Sequence, residues 1–264
     1  MHKASDTAGW IDGYSSRIGG TDYNRGMRPD PAQAPDIDEH GAPIDGRPQV
    51  SRSRLFMQLQ VFGGCGDTAA VCSALKEAES PGVVYEDLSD PRGVAVLTWS
   101  EDPGYFVTRL RRLLGGKPFT HLTHKPEMTM FGRTYALGHE RDLRQWLFEK
   151  PVETAVNPAW PWAVWYPLRR KGSFAALAEP EQRKILMEHG QVGMSYVQAD
   201  YAHDIRLLCT GLDRNDNDFV IGLVGKELHP LSAIVQAMRK TTQTSQYIER
   251  LGPFFVGRAV YQCR

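Results

Sequence analysis

The chain has 264 residues, of which 41% are hydrophobic and 23% charged, enough for one large or two small domains with a sizeable core. Its 31 basic and 31 acidic residues give a formal net charge of zero, so no long-range field would draw it to nucleic acid or an anionic membrane. No run of about 18 apolar residues is present, and we therefore expect no membrane span.

The four cysteines are scattered, without a CxxC pair or zinc-finger spacing, at Cys65, Cys72, Cys209 and Cys263. In a chain of this length, such scatter is typical of reduced thiols rather than of a disulfide framework. The first residues contain no apolar segment of the kind found in secretory signals. These observations predict a cytoplasmic protein.

Residues 1–52 are predicted to form a partly extended N-terminal arm, because they are rich in Gly, Pro and Asp and lack sustained periodicity. From residue 53 to residue 150, the hydrophobic pattern predicts a strand, a helix, two strands, a helix and a strand. These elements are expected at 55–62, 67–78, 83–85, 94–99, 105–114 and 129–135. That order is typical of a ferredoxin-like unit.

Residues 151–264 repeat this order without repeating the sequence. The elements are expected at 163–166, 180–189, 205–210, 219–224, 230–250 and 254–261. The predicted fold class is therefore α+β, with two tandem ferredoxin-like units of the dimeric α/β-barrel type. Its antiparallel sheets would carry the helices on the outside.

One histidine draws attention within the helix expected at 180–189. Ile185 and Leu186 precede His189 by four and three residues, so the three share one apolar helical face that is expected to point inward. An inward histidine either satisfies a hydrogen bond in the core or binds a ligand. The first role is the commoner one for a histidine considered alone.

Several segments of the second half, taken together, resemble the chlorite dismutase superfamily, which includes the coproheme decarboxylases. The resemblance covers about residues 160–260 well and residues 55–140 only through the order of elements. It is carried by Trp165-Tyr166-Pro167-Leu168, His189-Gly190 with Gly193 and Tyr196, Thr210-Gly211-Leu212-Asp213 with Asp218-Phe219, Met238-Arg239 with Ser245 and Tyr247, and Gly252-Pro253-Phe254-Phe255-Val256-Gly257.

This resemblance implies an iron porphyrin, haem b or coproheme, in the C-terminal unit, with His189 as the proximal iron ligand. The implied reaction is the oxidative decarboxylation of iron coproporphyrin III to haem b, with hydrogen peroxide as oxidant and Tyr166 as a radical relay. Tyr166 could equally be a strand aromatic with its hydroxyl at the rim. The other implied cofactor contacts are Arg239, Arg170, Leu168 and Met187. A ring of subunits, often five, is implied as well.

The position on the opposite, distal side of the iron departs from the family pattern. Counting back from Gly211 places Asp204 there, while a one-residue slip in register would change which neighbour faces the iron. The distal candidates are therefore His203, Asp204 and Arg206, and Asp204 with Arg206 could equally form a structural salt bridge.

The proximal side departs from the pattern too. Val224 occupies, by count, the position of a glutamate that bonds the proximal histidine in chlorite dismutases. This difference argues against efficient chlorite chemistry. A different haem-dependent oxidoreductase, of the chlorite dismutase or peroxidase type, and a non-catalytic haem-binding relative remain as alternatives.

Overall fold

The computed structural model of the chain describes residues 34–264, of which Asp38–Arg264 form one compact unit. This unit opens with an antiparallel hairpin of β1 (Glu39–Ile44) and β2 (Arg47–Ser51). An ion pair of 2.8 Å between Glu39 and Arg133 anchors the hairpin to the rest of the unit. The arm expected over residues 1–52 therefore includes a paired hairpin, and residues 1–33 lie outside the described part.

The first half forms one ferredoxin-like unit, as the hydrophobic pattern predicts. Its elements are β3 (Phe56–Gly63), α1 (Thr68–Glu77), β4 (Gly82–Asp87), β5 (Val94–Ser100), α2 (Gly104–Val107), α3 (Arg109–Leu114), the short β6 (Thr123–His124) and β7 (Met130–Arg133). The four long strands are antiparallel in the order β7-β3-β5-β4. The helix α1 begins where its capping residue predicts, because the Asp67 carboxylate accepts a hydrogen bond from the backbone N–H of Ala69.

The second half forms a unit of the same order. A π-helical turn (Gln145–Glu149) and α4 (Lys150–Val156) link it to the first. Its elements are β8 (Trp162–Arg170), α5 (Gly172–Ala175), α6 (Glu179–Gln198), β9 (His203–Leu208), β10 (Phe219–Gly225), α7 (Leu228–Met238), α8 (Thr242–Tyr247), β11 (Ile248–Leu251) and β12 (Phe255–Cys263). No helix within residues 34–264 is both long and apolar enough to cross a bilayer.

The two sheets join edge to edge into one closed barrel. Within the second unit the order is β9-β10-β8-β12, and the two joins are β12 with β4 and β7 with β9. The expected fold of two tandem ferredoxin-like units with antiparallel sheets is therefore confirmed. Both units fill the barrel interior, where the largest fully buried side chains are Met57, Leu59, Tyr85, Leu97, Trp165, Ile205, Leu207 and Phe255.

Side chains alternate between this interior and the outer face along each strand of the second unit. Trp165 lies inside the barrel, whereas its neighbour Tyr166 packs on the outside in a cluster with residues of β10 and α7. Only strand residues on the outer face can contact a ligand that lies between the sheet and the helices.

Two helices depart from the sequence prediction. The helix expected to end at His189 continues to Gln198, because isolated glycines such as Gly190 and Gly193 are tolerated inside a long helix. The single helix expected at 230–250 is instead α7, α8 and β11. A new helix starts at α8 because the Thr241 side chain caps it by accepting a hydrogen bond from the Thr244 N–H.

Candidate functional site

One row of side chains crosses the outer face of the C-terminal sheet. In the register of β8, β10 and β9, Tyr166 lies opposite Ile221, and Ile221 lies opposite Arg206. Arg170 lies on the same face of β8 as Tyr166, because the two residues are four apart in a strand. This face of the sheet therefore carries a phenol and two guanidinium groups.

The helix α6 lies on this side of the sheet and carries His189. Its packing is mainly against α7 and α8, whereas α7 packs directly on β8 and β10. Of the twenty residues of α6, only Ile185 is fully buried, and His189 follows it by one helical turn on the same face. His189 is therefore directed inward from a helix whose main supports are other helices rather than the sheet.

His189 is partly buried and has one hydrogen bond within the described structure, in which its Nδ1 lies 3.1 Å from the Thr241 hydroxyl oxygen. Burial lowers the pKa of His189 below its usual value, and the positive charges of Arg170 and Arg206 lower that pKa further. The imidazole is consequently neutral near pH 7, which is the form that coordinates metal ions. Its Nε2 remains available to a ligand.

Arg206 is held in place from two sides. Its Nε forms an ion pair with the Asp204 carboxylate at an N···O distance of 2.7 Å, and its Cζ lies 5.1 Å from the centroid of the Trp146 ring. The salt bridge left open by the sequence is thus present. It does not remove Arg206 from the site, because the guanidinium still acts on the pKa of His189.

Arg170 lies between two aromatic rings, with its Cζ 4.5 Å from the Phe174 centroid and 4.8 Å from the Phe219 centroid. Burial lowers the pKa of its guanidinium. Its Nε is buried and has no hydrogen-bond partner among residues 34–264. A buried cationic donor without an acceptor costs free energy of folding. This N–H group is therefore suited to donate a hydrogen bond to the carboxylate of a ligand.

Tyr166 is buried and stacks on Phe254, with ring centroids 4.7 Å apart. Burial raises the pKa of its phenol and the negative charge of Asp204 raises it further, so the hydroxyl is protonated at neutral pH. Arg239 is exposed at the C-terminal end of α7 and acts on the pKa of Tyr166 by its charge alone. The structure therefore places these two residues in one neighbourhood, with Arg239 at its exposed edge.

His203 does not belong to this outer face, which corrects its candidacy as a distal residue. It has the same parity on β9 as the interior residue Ile205. Its ring stacks on Trp160 with centroids 3.5 Å apart, and its Nε2 is 2.8 Å from the Asp200 carboxylate. Asp204 and Arg206 are the distal candidates that remain on the outer face.

Val224 also requires a correction, because its side chain lies in the barrel interior. It cannot stand where a carboxylate would bond His189, and the residue that does bond the histidine is Thr241. The position of Val224 was assigned by counting residues along the chain. Such a count does not show which face of β10 a residue occupies.

The two remaining predicted contacts differ in their placement. Leu168 is buried on the outer face in the same cluster as Tyr166. Met187 is 59% exposed and precedes His189 by two residues, which puts it on nearly the opposite side of α6. Met187 is therefore not a cofactor contact from this chain, and Leu186 is likewise exposed rather than inward.

Three residues from the connection between the two units were missed by the sequence analysis. Trp146 contacts Arg206, and the Nζ of Lys150 lies 4.1 Å from the centroid of the same Trp146 ring. Tyr135 contacts Phe219, with centroids 5.9 Å apart, and accepts a hydrogen bond from Trp146 Nε1 at its carbonyl oxygen. The apolar spacing of residues 143–155 was the available signal for this helical connection.

A family model described as chlorite dismutase matches residues 144–260, the span that contains Tyr166, His189 and Arg206 in this arrangement. Over these residues the chain is similar to the chlorite dismutase family. None of the curated protein sequences matches the chain.

Solved structures extend the likeness to the chlorite dismutase fold over both units. A structure described as a novel heme-binding protein from Thermus thermophilus has a TM-score of 0.61 and 17% identity, and the match covers 79% of this chain and 92% of that one. The chlorite dismutase of Candidatus Nitrospira defluvii in complex with imidazole has a TM-score of 0.61 and 18% identity, over 80% and 93% of the two chains. At these identities the comparison shows a shared fold.

Proposed function

We propose that the chain binds an iron porphyrin between α6 and the outer face of the C-terminal sheet, with Nε2 of His189 as the iron ligand. The observation that carries this proposal is the orientation of His189. Its Nδ1 is bonded to Thr241, and its ring shares a neighbourhood with Arg170 and Arg206 of the sheet. The heme-binding protein of the same fold supports the assignment.

The residues present fit such a group in four respects. The free Nε2 of a neutral imidazole suits ferric or ferrous iron. The unpartnered Nε of Arg170 suits a porphyrin carboxylate. The packing of α6 on α7 and α8 suits a flat ligand beneath the histidine. Arg239 is placed to meet a second carboxylate from the exposed side of Tyr166.

We further propose that the reaction is the peroxide-dependent decarboxylation of coproheme to haem b. A bound iron porphyrin supplies the two-electron redox chemistry with hydrogen peroxide. Each propionate that becomes a vinyl group loses carbon dioxide, one proton and two electrons. One hydrogen peroxide accepts the two electrons, that proton and one further proton from solvent, and becomes two water molecules. Two such conversions turn the tetracarboxylate into the dicarboxylate.

Tyr166 is suited to carry an electron and a proton in this reaction. Its hydroxyl is held protonated by burial, and its ring is fixed by stacking on Phe254. When the phenol gives up an electron its proton becomes strongly acidic, and Asp204 provides a carboxylate whose charge acts on this hydroxyl. Arg206 remains paired with Asp204 and keeps that carboxylate in place.

The test is a titration of the apoprotein with coproheme, followed by hydrogen peroxide and mass spectrometry of the porphyrin. The parent protein should bind coproheme and show two successive losses of a carboxyl group. Tyr166→Phe should bind equally well and lose at least about a thousandfold in product formation, as expected when a group needed for the chemical step is removed.

Tyr135→Phe is the matched control, because Tyr135 is a second buried phenol close to Arg170 and Arg206. It should retain most of the activity. Product formation at the parental rate by Tyr166→Phe would disprove the tyrosine mechanism, whereas failure of the parent to bind either coproheme or haem b would disprove the porphyrin site itself.

Arg206 favours a second candidate, a haem-dependent oxidoreductase of the chlorite dismutase or peroxidase type. Its guanidinium lies on the outer face and could approach an anionic oxidant. Oxygen release from chlorite without rapid bleaching would support this candidate. A stable complex that neither decarboxylates coproheme nor reacts with chlorite would indicate a haem-binding protein without turnover.

We also propose a homo-oligomer, a pentamer by resemblance, in a reducing cytoplasmic compartment. Apolar side chains on the outer side of α6, including Met187, Met194 and Val197, are 42–59% exposed and suit burial against a second copy. All four cysteines are free, in keeping with reducing conditions. Light scattering of the loaded protein reports the subunit number.

A further inference from the structure

The hydrogen bonds around Thr241 bear on which ring nitrogen of His189 carries the proton. Thr241 lies in the turn between α7 and α8, and its side chain is buried. Its Oγ1 lies 2.8 Å from the Met238 carbonyl oxygen, 3.1 Å from His189 Nδ1, and 3.4 Å from both the backbone nitrogen and the hydroxyl oxygen of Thr244. Four polar contacts thus converge on one hydroxyl group, and the Thr244 hydroxyl is a more distant acceptor than the Met238 carbonyl.

A hydroxyl group has one hydrogen to donate and two lone pairs to accept. The nearest acceptor is the Met238 carbonyl, which cannot donate, so the Thr241 hydrogen is directed there. The Thr244 N–H then fills one lone pair as the N-cap bond of α8. The contact with His189 is complete only if Nδ1 carries a hydrogen and donates it to the second lone pair.

We propose that Thr241 is a positioning residue that selects the Nδ1–H tautomer of His189 and so leaves the lone pair on Nε2. A second contact keeps the two elements in register, because the Glu188 carboxylate accepts a hydrogen bond of 3.2 Å from the backbone N–H of Thr242. The selection of the tautomer precedes any ligand. Only its consequence for iron rests on the proposed function.

The chemical consequence follows from the nature of the acceptor. A neutral hydroxyl withdraws the Nδ1 proton less than a carboxylate would, so His189 remains a neutral imidazole with modest electron donation. An iron bound at Nε2 therefore has a higher reduction potential than it would have if residue 241 carried a carboxylate.

The first experiment uses apoprotein with ¹⁵N-labelled histidine and records the ring-nitrogen shifts, with the His189 signals assigned by their loss in His189→Gln. The parent and Thr241→Ser should show the Nδ1–H tautomer. In Thr241→Val the ratio of the Nδ1–H to the Nε2–H tautomer should fall about tenfold, the size expected for one lost hydrogen bond. Thr241→Asp should keep the Nδ1–H tautomer.

Asp67→Ala is the control for loss of a helix cap, because it removes the corresponding cap of α1 without touching His189. It should leave the tautomer ratio unchanged. An Nε2–H tautomer in the parent, or an unchanged ratio in Thr241→Val, would overturn the proposal.

The second experiment measures the reduction potential and the iron–histidine stretching frequency of the loaded protein. Relative to Thr241→Ser, Thr241→Asp should lower the potential and raise the frequency. Equal values in both variants would overturn the role toward iron. Absence of porphyrin binding would overturn the proposed function, and the apoprotein result would still decide the tautomer.

Discussion

Alternation along a single strand decides which of three polar or charged neighbours can meet a ligand. His203 turns toward Trp160, whereas Asp204 and Arg206 lie on the outer face with Tyr166. His203 cannot line the same site as Asp204 and Arg206, because residues of opposite parity on a strand lie on opposite faces of the sheet. For the proposed porphyrin site, we therefore expect Arg206 and its carboxylate partner to be the residues that act on the distal side.

A matched pair of substitutions on β9 tests this assignment. Arg206→Gln should weaken cyanide binding to the loaded protein by roughly tenfold or more, because a hydrogen bond to a charged group contributes about 1.5–3 kcal/mol. His203→Gln should leave the affinity within about twofold while lowering stability through the lost contact with Trp160. Weaker anion binding in His203→Gln than in Arg206→Gln would reverse the assignment.

The sequence was sufficient to name His189, Tyr166 and Arg170 as candidates, because its resemblance to the chlorite dismutase superfamily implies roles for them. It could not separate His203 from Arg206, since a shift of one residue in register exchanges the two faces. Thr241 could not be found at all, because it lies 52 residues from His189 and meets it only through the packing of α8 on α6.

Two glycines in different elements show how the same substitution can have opposite effects. Gly222 on β10 lies opposite Trp165 in the sheet, and an added Cβ would be 2.5 Å from the indole ring. Gly190 on α6 has no atom within 4 Å of an added Cβ. The missing side chain of Gly222 leaves space for the indole of Trp165 in the barrel core. Gly190 lowers the stability of an exposed part of α6.

We expect Gly222→Ala to destabilise the apoprotein by about 1–3 kcal/mol, because overpacking forces the indole or the strand to move. Gly190→Ala should stabilise it by about 0.5–1 kcal/mol, because alanine loses less backbone entropy in a helix. Urea unfolding monitored by circular dichroism gives both values. A change of the same sign in the two variants would contradict the packing described for β10.

At the level of elements, β3, α1, β4 and β5 were predicted to within a few residues because periodicity, capping and turns agree there. The helix α6 was predicted too short because glycine lowers helix propensity, and the prediction ended the helix before Gly190. In the structure, contacts with α7 and α8 stabilise the helix through both Gly190 and Gly193. The break between α7 and α8 depends on a cap formed by Thr241, which competes with helix continuation.

At the largest scale, the strands β3–β12 of residues 38–264 form one closed sheet to which both repeats contribute. The barrel interior combines Met57 and Leu97 of the first unit with Trp165 and Phe255 of the second in a single cluster. The boundary expected at residue 150 stays a prediction, and the residues on its two sides share one core. Sequence periodicity locates such repeats but carries no information on the joins between β4 and β12 or between β7 and β9.

A fragment of residues 151–264 should consequently fail to fold alone, because it would expose its half of the barrel interior and two unpaired strand edges. Residues 38–264 should unfold in one cooperative transition. Circular dichroism and urea titration of both proteins test this expectation. A cooperative transition in the short fragment would show that the units are independent domains.

The twenty-residue helix α6, with one fully buried side chain, has a consequence for the timing of ligand exchange. Elements with few buried contacts open locally long before the molecule unfolds, and their amide hydrogens exchange first with solvent. We expect a planar molecule bound under His189, as proposed above, to be released when this helix opens. Its residence time is then governed by how often α6 opens, so slow hydrogen exchange in α6 and slow release should appear together.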